Sequence, residues 1–113
     1  MGTLKQKVKE QHFVTEAQKL ELEETKELLS IEVQNAWLML NQAATQIDLN
    51  KKSLKQAEEN LRLNQDRFDA GTVLGEDVLE AQVLWQKAYA DVIDAKAGYK
   101  ISEAKYKKAS GEY

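Results

Sequence analysis

Residues that favour turns cluster at one place only in this chain, the segment Asp69-Ala70-Gly71-Thr72-Val73-Leu74-Gly75. The 113 residues include no proline and only five glycines, and strong helix formers such as Ala, Leu, Glu, Lys and Gln dominate the rest. The sequence therefore predicts an all-α fold, with a helix over about residues 4–70, a tight turn over 71–75 and a second helix over about 76–109. Gly71 suits the left-handed C′ position that would end the first helix.

An apolar heptad repeat runs through both predicted helices. Large residues recur at a positions and small residues at d positions, for about five heptads in each helix. This pattern favours two helices that pack closely and antiparallel across a short connection, as a long coiled-coil hairpin. The large residues of the predicted helix–helix seam are Val33, Leu40, Ile47, Leu54 and Leu61 in the first helix and Val78, Trp85, Val92 and Tyr99 in the second.

The two predicted helices differ in length, because the first is about twice as long as the second. About half of the first helix therefore has no partner within the chain. The heptad pattern is weakest over residues 48–53, where Asn50 occupies a d position. Two architectures remain open: a hairpin with a continuous first helix, or a three-helix bundle in which the first helix breaks near 48–53.

The second predicted helix has another apolar stripe at its b and f positions, centred roughly 150° from the seam. Charged residues separate the two stripes. A helix with two opposed apolar stripes is typical of one that has neighbours on both flanks, as in a wall of helices; an ordinary helical bundle or a self-associating coiled coil is the alternative. The second stripe comprises Leu79, Val83, Ala90, Ile93, Ala97 and Ala104.

Composition and motifs exclude several functions. A net charge of −3 argues against nucleic-acid binding, which needs a basic surface. The absence of cysteine excludes thiol chemistry, and a lone histidine, His12, cannot form a metal site by itself. No phosphate-binding loop or nucleophile motif is present, so we expect no enzyme activity, catalytic residue, metal or cofactor. The longest apolar run, Ala36–Leu40, is far shorter than the roughly 18–20 residues that span a bilayer, and we expect this segment not to enter the membrane.

Four segments point to a family. They are Glu32–Leu40, Ala57–Leu63, Arg67–Thr72 and Asp77–Gln82, and the most specific signal is an aromatic-x-x-Gly-Thr followed by Asp-Val-Leu-x-Ala-Gln. Their order and spacing closely resemble the TolC-like outer-membrane efflux proteins, over nearly the whole chain. The resemblance implies that residues 1–113 are a single helical segment of a larger channel protein, in its periplasmic part. It also implies that the membrane strands are missing, with Gly2–Lys7 just after a strand and Ser110–Tyr113 at the end of the returning helix.

The resemblance also implies a function, in which the helices form the wall of a trimeric channel for efflux or secretion. The turn would dock a periplasmic adaptor protein, and through it an inner-membrane pump. Phe68, Gly71, Thr72 and Asp77 match the family pattern at this turn, and Val73 and Leu74 would supply apolar contacts to a partner helix. The sequence departs from the family at two of these positions. Leu74 stands where many members have a capping Ser or Thr, and Val73 is uncharged where some members have a basic gating residue.

Two other functions compete with this interpretation. The chain would be a purely structural coiled-coil scaffold if its turn had no partner. It would be the hairpin of a periplasmic adaptor if its arms were similar in length and flanked by β-rich halves, neither of which the sequence indicates.

Overall fold

The computed structural model describes residues 3–111, so the expectations for Gly2, Glu112 and Tyr113 lie outside the described residues. Two helices make up this range: α1, Thr3–Asp69, and α2, Gly75–Ala109. Residues 3–111 contain no strand, and neither helix is apolar enough over a sufficient length to cross a membrane. The predicted all-α fold is confirmed, and each helix begins and ends within one residue of its predicted limits.

The helix α1 continues without a break through residues 48–53. The three-helix alternative is therefore wrong, and Asn50 shows why. Its amide nitrogen Nδ2 donates to the main-chain oxygen of Asp91 in α2 at 3.0 Å, and its Oδ1 accepts a hydrogen bond from Gln46 Nε2 at 2.9 Å. Because both ends of the amide have partners, the side chain does not compete for the backbone of its own helix.

Two parts of the chain differ in packing. Within residues 3–35, which are entirely helical, every residue except Val33 is exposed. Within residues 36–111, the remainder of α1 and the whole of α2 pack side by side as an antiparallel hairpin. Only this second part contains buried residues, Ala81 and Val92, with 2% and 6% of their surface exposed.

The least exposed residues of the hairpin occupy the a and d positions of the heptad. Along α1 the half-buried residues recur at intervals of three and four, and α2 shows the same periodicity around its two buried residues. This periodicity is typical of a helix that packs one face against a single neighbouring helix. The remaining large seam residues are all half-buried: Val33, Leu40, Ile47, Leu54, Leu61, Val78, Trp85 and Tyr99.

Candidate partner-docking surface at the helical turn

The helix α1 ends in a Schellman motif around Gly71. The N–H of Thr72 donates to the oxygen of Arg67 at 2.8 Å, and the N–H of Gly71 donates to the oxygen of Phe68 at 2.9 Å. Gly71 has a φ of 77°, a left-handed conformation that costs residues with a Cβ about 1–2 kcal/mol. The Thr72 hydroxyl donates to the same Arg67 oxygen at 2.9 Å. The Gly-Thr pair thus closes the helix with three hydrogen bonds, and Gly71 is the C′ residue that the sequence predicts.

The helix α2 begins with half of a capping box. Asp77 Oδ2 accepts the N–H of Leu74 at 2.9 Å, which satisfies one donor and places a negative charge at the positive end of the helix dipole. Leu74 is the N-cap residue, and its side chain has no oxygen with which to complete the box. The departure from the family pattern at Leu74 therefore removes one hydrogen bond but does not displace the helix start, which lies at Gly75.

Three apolar side chains at the turn differ in accessibility. Leu74 is 69% exposed and Phe68 is 49% exposed, whereas Val73 is half-buried and therefore less accessible than either. Leu74, the N-cap residue, is therefore more accessible to a partner than Val73. The Phe68 ring lies beside Gly75, with Cε2 3.7 Å from the position that a Cβ would take there. Leu74 and Phe68 thus form the accessible apolar surface of the turn.

Charged residues surround this surface. Residues 66–80 include five carboxylates and one guanidinium, that of Arg67. One turn earlier, Arg62 contacts Glu59 at 2.9 Å and Asp66 at 3.3 Å, and the hydrogen bond that Arg62 donates to Glu59 raises the pKa of Arg62 above its ordinary value. Within residues 3–111, Arg62 pairs with Glu59 and Asp66 and not with Glu58, which is also four residues away. Such exposed pairs contribute little to stability.

A second accessible apolar surface follows α2 away from the turn. Leu79, Val83 and Ile93 of the second stripe are 60%, 58% and 52% exposed. The alanines of the same stripe, Ala90, Ala97 and Ala104, are exposed as well. We call these six residues the outer stripe. Sequence periodicity identified them, and the hairpin leaves them uncovered.

The arrangement offers surfaces for contact rather than groups for chemistry. Within residues 3–111, no three His, Asp or Glu side chains come together as a metal site would require. His12 is exposed beside Glu16, with Nε2 3.3 Å from a carboxylate oxygen. Of the six predicted turn residues, the structure brings Phe68, Gly71, Thr72, Leu74 and Asp77 into one accessible turn. Sequence reasoning missed the role of Asn50, and its signal was a polar residue at a d position of an apolar seam.

Comparison with known proteins adds one match. The family model described as outer membrane efflux protein matches residues 1–112. No curated protein and no solved structure matches the chain significantly. The matched range includes the whole of both helices and the turn between them, and the matching family is one of efflux proteins of the outer membrane, not of enzymes. The chain therefore belongs to the outer membrane efflux protein family.

Proposed function

We propose that residues 1–113 are one helical segment of an outer-membrane efflux or secretion channel, in which the hairpin forms part of the channel wall in the bacterial periplasm. Three copies of the complete protein associate through their helical walls. The turn of the hairpin docks a periplasmic adaptor protein, which connects the channel to an inner-membrane pump. The segment itself performs no catalysis and holds no metal or cofactor.

The outer stripe is the observation that carries the wall assignment. One apolar stripe of α2 is covered by α1, and the opposite stripe, which includes Leu79, Val83 and Ile93, is left more than half exposed. An exposed apolar stripe of this kind is expected where another protein element packs. A helix that forms part of a wall needs a neighbour on each flank, and residues 36–111 supply only one of those neighbours.

The turn supports docking because its apolar residues are held on an ordered backbone. Three hydrogen bonds to the last carbonyls of α1 and one from Leu74 to Asp77 fix the connection. A prearranged loop loses little conformational entropy when a partner binds. Leu74, at 69% exposed, is positioned to enter an apolar groove of a partner helix pair.

Photocrosslinking in cells tests the docking assignment. A single cysteine replaces Leu74 in the complete channel protein after its other cysteines have been removed; this segment has none. The cysteine is labelled with benzophenone maleimide, irradiated, and the adducts are identified by mass spectrometry. We expect an adduct with a periplasmic adaptor protein. Leu74 is a better position than Val73, because Leu74 is 69% exposed whereas Val73 is half-buried.

The matched control is Ile101→Cys, since Ile101 is 57% exposed and lies about 40 Å along α2 from the turn. We expect no adaptor adduct from this position. If a folded and assembled channel gives no adaptor adduct from Leu74→Cys, or equal amounts from both positions, docking at the turn is wrong. The hairpin would then be a wall or a structural scaffold only.

The family match disfavours the hairpin of an adaptor protein, because the family model that covers residues 1–112 describes outer membrane efflux proteins.

A further inference from the structure

Two contacts define how α1 and α2 are aligned within residues 36–111. The Asn50 amide bonds the backbone of Asp91 at 3.0 Å, and the Phe68 ring lies next to Gly75. Because the helices are antiparallel, each step of seven residues towards the turn along α1 matches a step of seven back along α2. The d residues of α1 therefore face the a residues of α2 in successive layers of the seam.

These layers show a correlation in size. Wherever α2 has an aromatic residue at the a position, α1 has alanine opposite it, and wherever α2 has valine, α1 has asparagine. This holds in all five layers. The pairs are Ala36 with Tyr106, Ala43 with Tyr99, Asn50 with Val92, Ala57 with Trp85, and Asn64 with Val78.

The layers between these five, in which a residues of α1 face d residues of α2, show no such size correlation. There α1 has a large aliphatic residue each time, and α2 has alanine or serine. Sliding α2 by one heptad leaves those layers almost unchanged. The layers concerned pair Leu40 with Ser102, Ile47 with Ala95, Leu54 with Ala88, and Leu61 with Ala81.

Sliding by one heptad disrupts the first set of layers. In one direction, Trp85 meets Asn50 and Val92 meets Ala43. The first of these pairs is too large for its layer and the second too small. Overfilled and underfilled layers both destabilise a packed interface.

The asparagines are tolerated in the seam because their polar atoms have partners. Asn50 bonds Gln46 and the backbone of Asp91. Asn64 donates instead within its own helix, to the main-chain oxygen of Asn60 at 2.8 Å. No half-buried amide of this pair is therefore left without a hydrogen bond, which would be costly.

We propose that these five layers form a size code that selects a single register for the pairing of α1 with α2. The same size correlation applies when α2 packs against α1 of a second copy, so it also disfavours pairing of two copies one heptad out of register. The turn cannot select the register between two copies, since it joins only the helices of one chain. The inference is independent of adaptor docking.

A size swap in the 113-residue chain tests the code. We expect Val92→Trp to lower the melting temperature by about 5–15 °C, because tryptophan overfills the layer that contains Asn50. Adding Asn50→Ala converts this layer into the Ala–Trp pair found at Ala57 and Trp85, and we expect it to restore at least half of the loss. The control adds Asn64→Ala to Val92→Trp. It makes the same chemical change in another layer, so it should restore nothing.

The code is wrong if Asn64→Ala restores as much as Asn50→Ala, or if the effects of Val92→Trp and Asn50→Ala simply add. A second measurement applies even if Val92→Trp does not fold. Cysteines at Leu54 and Ala88, which share a layer, should form a disulfide under mild oxidation. Cysteines at Leu54 and Ala95, one heptad out of register, should remain reduced, and equal oxidation of the two pairs overturns the proposal.

Discussion

The two apolar stripes of α2 have opposite environments. Ala81 and Val92 of the seam are 2% and 6% exposed, whereas Val83 and Ile93 of the outer stripe are 58% and 52% exposed. Only one stripe is used to fold the chain. The other has the same apolar character without a partner in residues 36–111, which indicates that its partner lies outside this hairpin.

This comparison separates stability from assembly. Substitutions in the seam should affect the folding of the chain itself, because they change what α1 and α2 bury together. Substitutions in the outer stripe should leave that folding unchanged and affect contacts between molecules. Substitutions at neighbouring residues of α2 should therefore affect different properties, folding in one case and assembly in the other.

Placing one charge on each of two adjacent residues gives the largest expected contrast. Val92→Lys puts an ammonium group into the seam, and we expect it to lower the free energy of unfolding by about 2–3 kcal/mol. Ile93→Lys, on the outer stripe, should change it by less than about 0.5 kcal/mol. Urea denaturation of the 113-residue chain, followed by circular dichroism, measures both. Similar losses for the two variants would show that the stripes do not differ in the way described.

The seam and the turn follow from the sequence because they depend on local pattern. The heptad repeat identified the half-buried residues from Val33 to Leu61 in α1, and Gly71 was recognised as a C′ residue from its place after the last helical turn. Both rest on short-range geometry: the helical period in one instance and the left-handed φ of glycine in the other.

What the sequence did not reveal depends on contacts between distant residues or on side-chain direction. The bond from Asn50 to Asp91 joins residues 41 positions apart, so the polar d position suggested a break instead of a link. The difference between Val73 and Leu74 depends on how the turn projects each side chain. Arg62 has carboxylates at both three and four residues along the helix, and both spacings allow an ion pair. It pairs with Glu59 and Asp66 and not with Glu58, which spacing alone does not predict.

Alanine substitutions at two glycines test how much space surrounds α2 and whether the turn needs a left-handed residue. Gly98 lies inside α2, and a Cβ there would meet no atom within 4 Å beyond the adjacent backbone of its own helix. We expect Gly98→Ala to raise the free energy of unfolding by about 0.5–1 kcal/mol, because glycine is unfavourable inside a helix. Gly71→Ala should lower it by about 1 kcal/mol, since alanine is strained at a φ of 77°.

Thermal unfolding of the two glycine variants and the unsubstituted chain checks these signs. Gly98→Ala must fold more stably if the flank of α2 is as open as the geometry indicates. A loss of stability would mean that something in the chain packs closely against residue 98. A neutral Gly71→Ala would contradict the left-handed turn.

The central claim is that the outer stripe of α2 packs against a neighbouring copy in the channel wall. The most direct test is the assembly of the complete channel protein that carries Val83→Lys and Ile93→Lys, measured as trimer on native gels after membrane extraction. The control carries Leu84→Lys and Ile101→Lys, since both residues are exposed and apolar, at 49% and 57%, and both lie off the stripe. The account predicts that the first protein fails to form trimers while the control assembles; normal trimers from the first protein would contradict it.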